Sequence, residues 1–152
     1  MGAMKHELPE YLASRQGLPV DSLQALIDFN LANPGEEQHG QQTLETINAS
    51  ALSHQEASAL IITISQNFKD AIDEQVREHN LDALFAEADG FSQFSAATAG
   101  YPAITLPSGM NDDDTPTSVT FYGQQWSEPQ LFAMAYSYEQ ASMELRHPGF
   151  KE

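Results

Sequence analysis

One uninterrupted helical pattern in the middle of the chain limits the folds that this sequence can adopt. From His54 to about His79 the apolar side chains recur every three or four residues, and the stretch contains neither glycine nor proline. That spacing puts them on one face of an α-helix, which must be buried against other elements. Ser53 and Glu56 form a capping box at its start, and Asn80 suits its end. The remaining elements must therefore pack around a helix roughly 39 Å long.

After this helix the pattern changes from helical spacing to short apolar runs. Residues 81–86, 101–106 and 118–122 are typical of buried β-strands. Pro102 is expected at a strand start, where a missing N–H group is tolerated. Residues 111–114, one asparagine and three aspartates, predict a solvated turn between the last two strands. Helices followed by strands and a closing helix indicate α/β layers.

The stretch before the long helix gives weaker signals. Residues 5–20 are expected to be irregular, because two prolines and a glycine interrupt them. Asp21 and Ser22 then offer N-caps for a helix that runs to about Asn33, where a Pro-Gly pair stops it. A short helix is predicted near residues 43–48. The N-terminal part therefore contributes helices and no strand.

A last helix is predicted after the strands. Ser127 is its expected N-cap, and Pro129 lies in its first turn. Pro148 and the glycine after it are expected to end the helix. Glu139 lies among apolar residues of this helix, and a carboxylate near an apolar face needs a partner. We therefore expect Glu139 to tie the helix to the sheet.

The charge of the chain excludes several classes of partner. Its 152 residues include 22 acidic and 6 basic side chains, which gives a net charge of −16. Such a surface repels phosphate backbones and anionic lipids, so we expect neither nucleic acid nor a membrane as partner. With no signal peptide and no apolar run of roughly 20 residues, we expect a cytoplasmic protein. The acidity can equally reflect solubility or a salty habitat.

The length of the chain limits the number of domains that it can form. The first four residues, Met1 to Met4, are a candidate vector scar, with two methionines around two small residues. Residues 5–152 are expected to form a single domain, since a chain of this size can bury roughly 70% of its unfolded surface.

Few of the patterns that carry chemistry occur in the chain. The absence of cysteine excludes thiolate nucleophiles and cysteine-based zinc sites. The five histidines are scattered, and none pairs with another at helical spacing, so we expect no metal site. There is no glycine-rich phosphate loop and no G-x-S-x-G elbow. We therefore predict no cofactor and no catalytic residue within the chain.

Several segments resemble one enzyme family in order and spacing. Residues 99–109 (AGYPAITLPSG) are very similar to the A-G-Y-P-x-I-T-[VL]-P-x-G segment of amidase-signature enzymes. Residues 116–123 (PTSVTFYG) occupy the place of the family's next strand. Further matches are residues 126–131 (WSEPQL), 135–141 (AYSYEQA) and 146–148 (RHP) at the closing helix, and 23–33 (LQALIDFNLAN) and 81–84 (LDAL) upstream. The chain thus resembles the C-terminal portion of an amidase-signature hydrolase over nearly its whole length.

The resemblance implies a fold and a parent activity. The fold would be a partial amidase-signature fold of the α/β class, a mixed sheet of about three strands with long flanking helices. The family hydrolyses linear amide C–N bonds with a Ser–cis-Ser–Lys triad, in which serine attacks and neutral lysine is the base. That triad belongs to a segment upstream of the matching region. The chain alone is therefore expected to be inactive, and the alternative is a stand-alone, non-catalytic binding or interaction module.

The resemblance also implies a role in the intact enzyme. The segment 87–98, expected to be a loop, would wall the substrate cleft, with Phe91, Phe94 and Tyr101 as apolar contacts. A small-molecule amide is expected as partner only in that intact enzyme. Uncovered strand edges and apolar faces predict self-association or pairing with the missing N-terminal part. Gly123 is expected to allow a close backbone approach before the last helix.

Overall fold

The computed structural model describes residues 3–35, 40–88 and 91–146, apart from the side chain of Ser92. The chain divides into two compact units, residues 1–62 and residues 63–152. The expectation of a single domain stays a prediction. The elements in chain order are α1 (Met4–Ala13), α2 (Leu23–Ala32), α3 (Gln42–Asn48), α4 (His54–His79), β1 (Leu84–Glu87), α5 (Phe91–Ala99), β2 (Ala103–Met110), β3 (Pro116–Tyr122) and α6 (Glu128–Ser142).

The first unit has a small core between its three N-terminal helices. Leu23 and Ile27 of α2 and Ile47 of α3 are buried together, and Leu8 of α1 packs against them. Of the two predicted caps of α2, Asp21 and Ser22, the structure uses Ser22, whose hydroxyl accepts a hydrogen bond from the backbone of the third helical residue at 3.1 Å. The short helix predicted near residues 43–48 is also present, as α3.

The irregular segment expected at residues 5–20 is wrong in its first half, which forms α1. Pro9 lies inside this helix and removes one backbone hydrogen bond, which typically costs about 3 kcal/mol. Tertiary contacts offset the loss. Leu8 packs on the core, and the Lys5 ammonium donates to the carbonyl of Ser50 at 2.7 Å. Long-range packing here outweighs the local preference of proline.

Helix α4 begins and ends where the sequence predicts. The Ser53 amide donates to the Glu56 carboxylate at 2.9 Å, and the Glu56 amide donates to the Ser53 hydroxyl at 3.3 Å. The hydrogen bonds from Ser53 to the carboxylate, first the one from its hydroxyl, lower the pKa of Glu56. At the other end Asn80 has a φ of 50°, and the Leu81 amide reaches back to the Val76 carbonyl at 2.9 Å. These contacts are a capping box and a Schellman motif.

The apolar stripe of α4 is buried only in part. Ile72 is 4% exposed, whereas Leu60 and Ile61 keep 47% and 42% of their surface exposed, and Ile64 keeps 37%. A helix with this spacing normally turns its whole stripe toward a core. The bare portion is therefore an exposed apolar surface of the kind that marks an interaction site.

The sheet has three strands in the order β1-β3-β2, and both pairings are antiparallel. The α/β class and the number of strands agree with expectation, while antiparallel pairing replaces the mixed sheet. The reason is the short turn between β2 and β3, which only antiparallel neighbours permit. In that turn the Asn111 amide donates to the Thr115 carbonyl at 2.8 Å, and Asp114 has a φ of 64°. The solvated turn predicted there is confirmed.

Helices cover both faces of the sheet. Thr120 of β3 faces α5, where it is hydrogen-bonded to Gln93. The next residue, Phe121, contacts the ring of Tyr138 on α6 at 6.0 Å between ring centroids. Because successive side chains of a strand point to opposite faces, α5 and α6 lie on opposite sides. Leu131 of α6 is buried on its side at 2% exposure.

Helix α6 differs from expectation at both ends. Ser127 occupies the N-cap position, but its side chain makes no capping bond. The helix ends at Ser142, because Met143 adopts the left-handed conformation with a φ of 51°. The predicted stop at Pro148 lies outside the described residues. No side-chain partner of Glu139 is found in the described part of the chain, so aromatic packing links α6 to the sheet instead.

Gly123 permits the close approach that the sequence predicts. A Cβ atom at this position would lie 2.8 Å from the Ser127 Oγ and 3.7 Å from the Asp82 carbonyl oxygen. The Gly123 amide also donates to the carbonyl of Pro102 at 3.3 Å. The missing side chain thus lets the end of β3 lie against the start of α6.

We expect Gly123→Ala to lower the free energy of unfolding by about 1 kcal/mol, because the added methyl group meets the Ser127 hydroxyl. Urea denaturation measures the effect. Gly35→Ala is the matched control, since a Cβ atom added at Gly35 would meet nothing within 4 Å. In a Ser127→Ala background the cost of Gly123→Ala should fall, because the opposing oxygen is gone. Equal losses in both backgrounds would contradict this account.

Candidate functional site

Three phenylalanines form an exposed aromatic cluster in the second unit. Phe68 of α4 lies 5.7 Å from Phe91 and 6.0 Å from Phe94 between ring centroids, and the two rings of α5 are 5.6 Å apart. Phe91 is 69% exposed and Phe94 is 54% exposed. The structure thus brings together two of the three predicted cleft residues. It adds Phe68, which the sequence assigned to the apolar stripe of the long helix.

The segment that carries Phe91 and Phe94 is a helix, so the loop expected at residues 87–98 is wrong over most of its length. Residues 91–99 contain no glycine or proline and three alanines, which favour a helix. Ala96 and Ala99 are 0% and 1% exposed. These small side chains allow α5 to lie close to the sheet, which keeps the phenylalanines on its outer side.

A polar network links α5 to the sheet. The Gln93 amide donates to the hydroxyls of Thr105 at 3.2 Å and Thr120 at 3.1 Å, and the two hydroxyls are 2.9 Å apart. Thr120 is 0% exposed, whereas Thr105 is exposed. A hydroxyl buried as deeply as that of Thr120 is costly unless it is hydrogen-bonded, so its bonds help to fix the position of the helix. The aromatic cluster therefore rests on a rigid support.

Tyr101 has a different environment from the two phenylalanines. Its hydroxyl donates to Asp73 Oδ2 at 2.9 Å, and the Gln124 amide donates to Asp73 Oδ1 at 2.9 Å. Burial raises the pKa of Tyr101, and the hydrogen bond to Asp73 and the charges of Asp73 and Asp70 add to the effect. The ring contacts found among the described residues do not include Tyr101. Its hydroxyl therefore serves as a link between α4 and the sheet.

The contacts of Asp73 and Gln93 could not be read from the sequence. Asp73 is 28 residues from Tyr101 and 51 residues from Gln124 along the chain. Gln93 is 27 residues from Thr120. No local periodicity connects such distant positions. A polar residue next to a buried apolar one, as Asp73 is to Ile72, is the only signal, and it is common on amphipathic helices.

The described residues offer little catalytic chemistry of their own. Within residues 3–35, 40–88 and 91–146, no group of three or more His, Asp or Glu side chains is placed to hold a metal ion. Several serine hydroxyls described there donate to other hydroxyls, carboxylates or backbone carbonyls, as Ser108 does to Thr117 at 3.0 Å. None of them is hydrogen-bonded to a lysine or histidine. No helix in the described part of the chain is long and apolar enough to cross a bilayer.

We expect Tyr101→Phe to lower the free energy of unfolding by about 1 kcal/mol below about pH 9, because it removes the hydrogen bond to Asp73. Since folding raises the pKa of Tyr101 above its usual 10.0, the contribution is present below that pH and is lost as the pH rises through the folded value. The difference between the variant and the unmodified protein should therefore shrink toward about pH 11.

Urea denaturation across this pH range measures the difference. Tyr136→Phe is the matched control, because Tyr136 is 65% exposed and should give no loss at any pH. A difference for Tyr101→Phe that is independent of pH up to about pH 11 would rule out the proposed titration.

Comparisons with known proteins identify relatives that are longer than this chain. A probable amidase of Arabidopsis thaliana is 27% identical over 153 residues, which covers 99% of this chain and 30% of the relative. An amidase family protein of Bacillus anthracis has a TM-score of 0.81 at 29% identity, covering 96% of this chain and 29% of its own. A peptide amidase of Stenotrophomonas maltophilia has a TM-score of 0.80 at 34% identity, covering 97% and 33%.

The comparisons agree with the order of the motifs and with the observed fold. No family model matches the chain. The chain spans about a third of the length of the relatives described above, and the match extends over nearly all of its own residues. Over nearly its whole length the chain is therefore similar to amidases, as a C-terminal portion of an amidase-signature protein would be.

Proposed function

We propose that this chain is the C-terminal part of an amide hydrolase and forms one wall of its substrate cleft. The observation that carries the proposal is the cluster of Phe68 with the exposed Phe91 and Phe94, which lie on a helix hydrogen-bonded to the sheet. Ligand sites are lined mainly by apolar and aromatic side chains held on rigid elements. The cluster has both properties, and Phe91 and Phe94 lie in the segment 87–98 that we expect to wall the cleft.

The substrate class follows from the family and from the cluster. Amidases hydrolyse amides, and the relative from Stenotrophomonas maltophilia is a peptide amidase. Phe91 and Phe94 would contact an apolar substituent next to the amide. Burying one aromatic side chain is worth about 2 kcal/mol, which is enough to select an aromatic over a small substituent. Tyr101 would support the same wall from behind through Asp73.

The catalytic serines and lysine would come from polypeptide outside this chain. We infer that the chain pairs with that polypeptide, because its apolar stripe on α4 is bare over Leu60, Ile61 and Ile64. Self-association is the alternative, and the net charge of −16 opposes it through repulsion between copies. A cytoplasmic location stays a prediction. The stand-alone binding module remains the alternative function.

We expect the isolated chain to show no turnover of simple aliphatic or aryl amides, because none of its described serine hydroxyls is hydrogen-bonded to a lysine or histidine. Product release above the uncatalysed rate is the measurement. Ser108→Ala is the control, since Ser108 is the serine of the family-like segment 99–109. Turnover by the isolated chain that is lost in Ser108→Ala would overturn the assignment of the triad to another polypeptide.

We expect this chain to replace the matching third of the Stenotrophomonas maltophilia peptide amidase in a chimera that retains activity. In that chimera Phe91→Ala should raise the KM for an amidated peptide with an aromatic side chain about tenfold, because it removes apolar contact with the substrate. The kcat should change little.

Phe132→Ala is the matched control for the chimera. Phe132 is 65% exposed, close to the 69% of Phe91, but it lies on α6 on the other side of the sheet. Equal KM values for the two variants would refute the cleft role of Phe91. A folded but inactive chimera in which the chain binds the peptide amide alone would favour the stand-alone binding module.

A further inference from the structure

Trp126 combines two unfavourable features on the segment between β3 and α6. It is 78% exposed, and its φ of 68° lies in the left-handed region. A bulky residue in that conformation typically costs about 1–3 kcal/mol. An exposed indole also lacks the favourable free energy that its burial would contribute. Neither feature is needed to turn the chain, since a glycine or asparagine would do so more cheaply. The strain and the exposure together point to a ligand for this ring.

A cavity of about 290 Å³ lies beside the indole. Val76 of α4, Leu81 and Asp82 line it together with three glutamines, Trp126 and Ser127. Leu81 is 38% exposed, so it is accessible to a ligand from solvent. Two apolar residues, one aromatic residue and one acidic residue around a cavity suit a small amphipathic group.

The polar residues that line the cavity include several with hydrogen-bond acceptors. No side-chain hydrogen bond or ion pair of Asp82 is found within the described residues. The Gln124 amide nitrogen is used by Asp73 at 2.9 Å, which leaves the Gln124 carbonyl oxygen as an acceptor. The Ser127 hydroxyl oxygen is buried and has no hydrogen-bond partner in the described structure. Among residues 3–35, 40–88 and 91–146, no lysine, arginine or histidine lines the cavity.

We propose that this cavity binds an organic cation, a guanidinium or an alkylammonium group, stacked on Trp126 and paired with Asp82. Guanidinium has five donors and no acceptor, so it can pair with a carboxylate and with the amide and hydroxyl oxygens of such residues. A cation over an indole face gains energy from the ring quadrupole, and tryptophan is the best ring for this contact. The net charge of −16 raises the local concentration of cations. This site does not depend on the proposed amidase function.

The same chemistry can come from two sources. One is a free small amine or guanidine, and the other is an arginine or lysine side chain of a polypeptide. The chain has a single tryptophan, so its fluorescence reports on this cavity alone. Titration with Nα-acetylarginine amide, called arginine amide below, at constant ionic strength should give a saturable change. Nα-acetylcitrulline amide, called citrulline amide below, has the same shape without any charge and should give none.

Two aspartate-to-asparagine variants, which change the net charge by the same amount, test the role of the Asp82 carboxylate. Asp82→Asn should weaken the binding of arginine amide about fivefold, because a partly exposed ion pair is lost. Asp112→Asn, in the turn between β2 and β3, should leave binding unchanged. Trp126→Leu, followed by calorimetry, should abolish it. An equal response to arginine amide and citrulline amide, or equal affinities of the two aspartate variants, would overturn the proposal.

A third arm separates the two sources. The probe is acetyl-Gly-Arg-Gly-amide, with the citrulline peptide as its neutral control. Binding more than about tenfold tighter than that of arginine amide supports the site and assigns it to a polypeptide side chain. Equal binding of the peptide and arginine amide supports the site and assigns it to a small free cation. Binding of the citrulline peptide as tight as that of the arginine peptide would contradict a cation site.

Discussion

The carboxylate of Asp73 holds the long helix to the sheet at two points. One oxygen accepts from Tyr101, just before β2, and the other from Gln124, just after β3. A carboxylate that accepts two hydrogen bonds in a partly buried position is a strong link, because each bond involves a charged acceptor. The helix that carries Phe68 and the segment that leads to Trp126 are both positioned from this one side chain.

A second polar link fixes α5 on the sheet. Gln93 bonds two threonine hydroxyls on adjacent strands, so α5 cannot slide along the sheet without breaking both. The phenylalanines of α5 then meet Phe68 at fixed distances. The position of the exposed aromatic surface therefore depends on polar contacts between α5 and the sheet. Substitutions of Gln93 or of its two threonine partners would therefore shift the phenylalanines of α5, although none of these polar residues belongs to the aromatic cluster.

The sequence predicts the elements whose boundaries are set by neighbours along the chain. The capping box at Ser53 and the cap at Asn80 bound α4 correctly, because their partners are three to five residues away. Sequence patterns do not predict the elements whose formation depends on tertiary contacts. Helix α1 forms despite Pro9, and α5 forms where a loop was expected. Of the candidate site, Phe91 and Phe94 were found from family resemblance, whereas the contacts of Asp73 had no local signal.

The bare stripe of α4 bears on how substitutions in this protein would be interpreted. Leu60 and Ile61 keep a helical apolar spacing, yet folding of the described residues leaves more than 40% of each side chain in water. A polar replacement there removes little buried area, so it costs the isolated chain little stability. A screen that scores folding of this chain alone would count such positions as free to vary. The helical spacing of these apolar residues indicates a different constraint on the sequence, which applies only when another protein surface covers the helix.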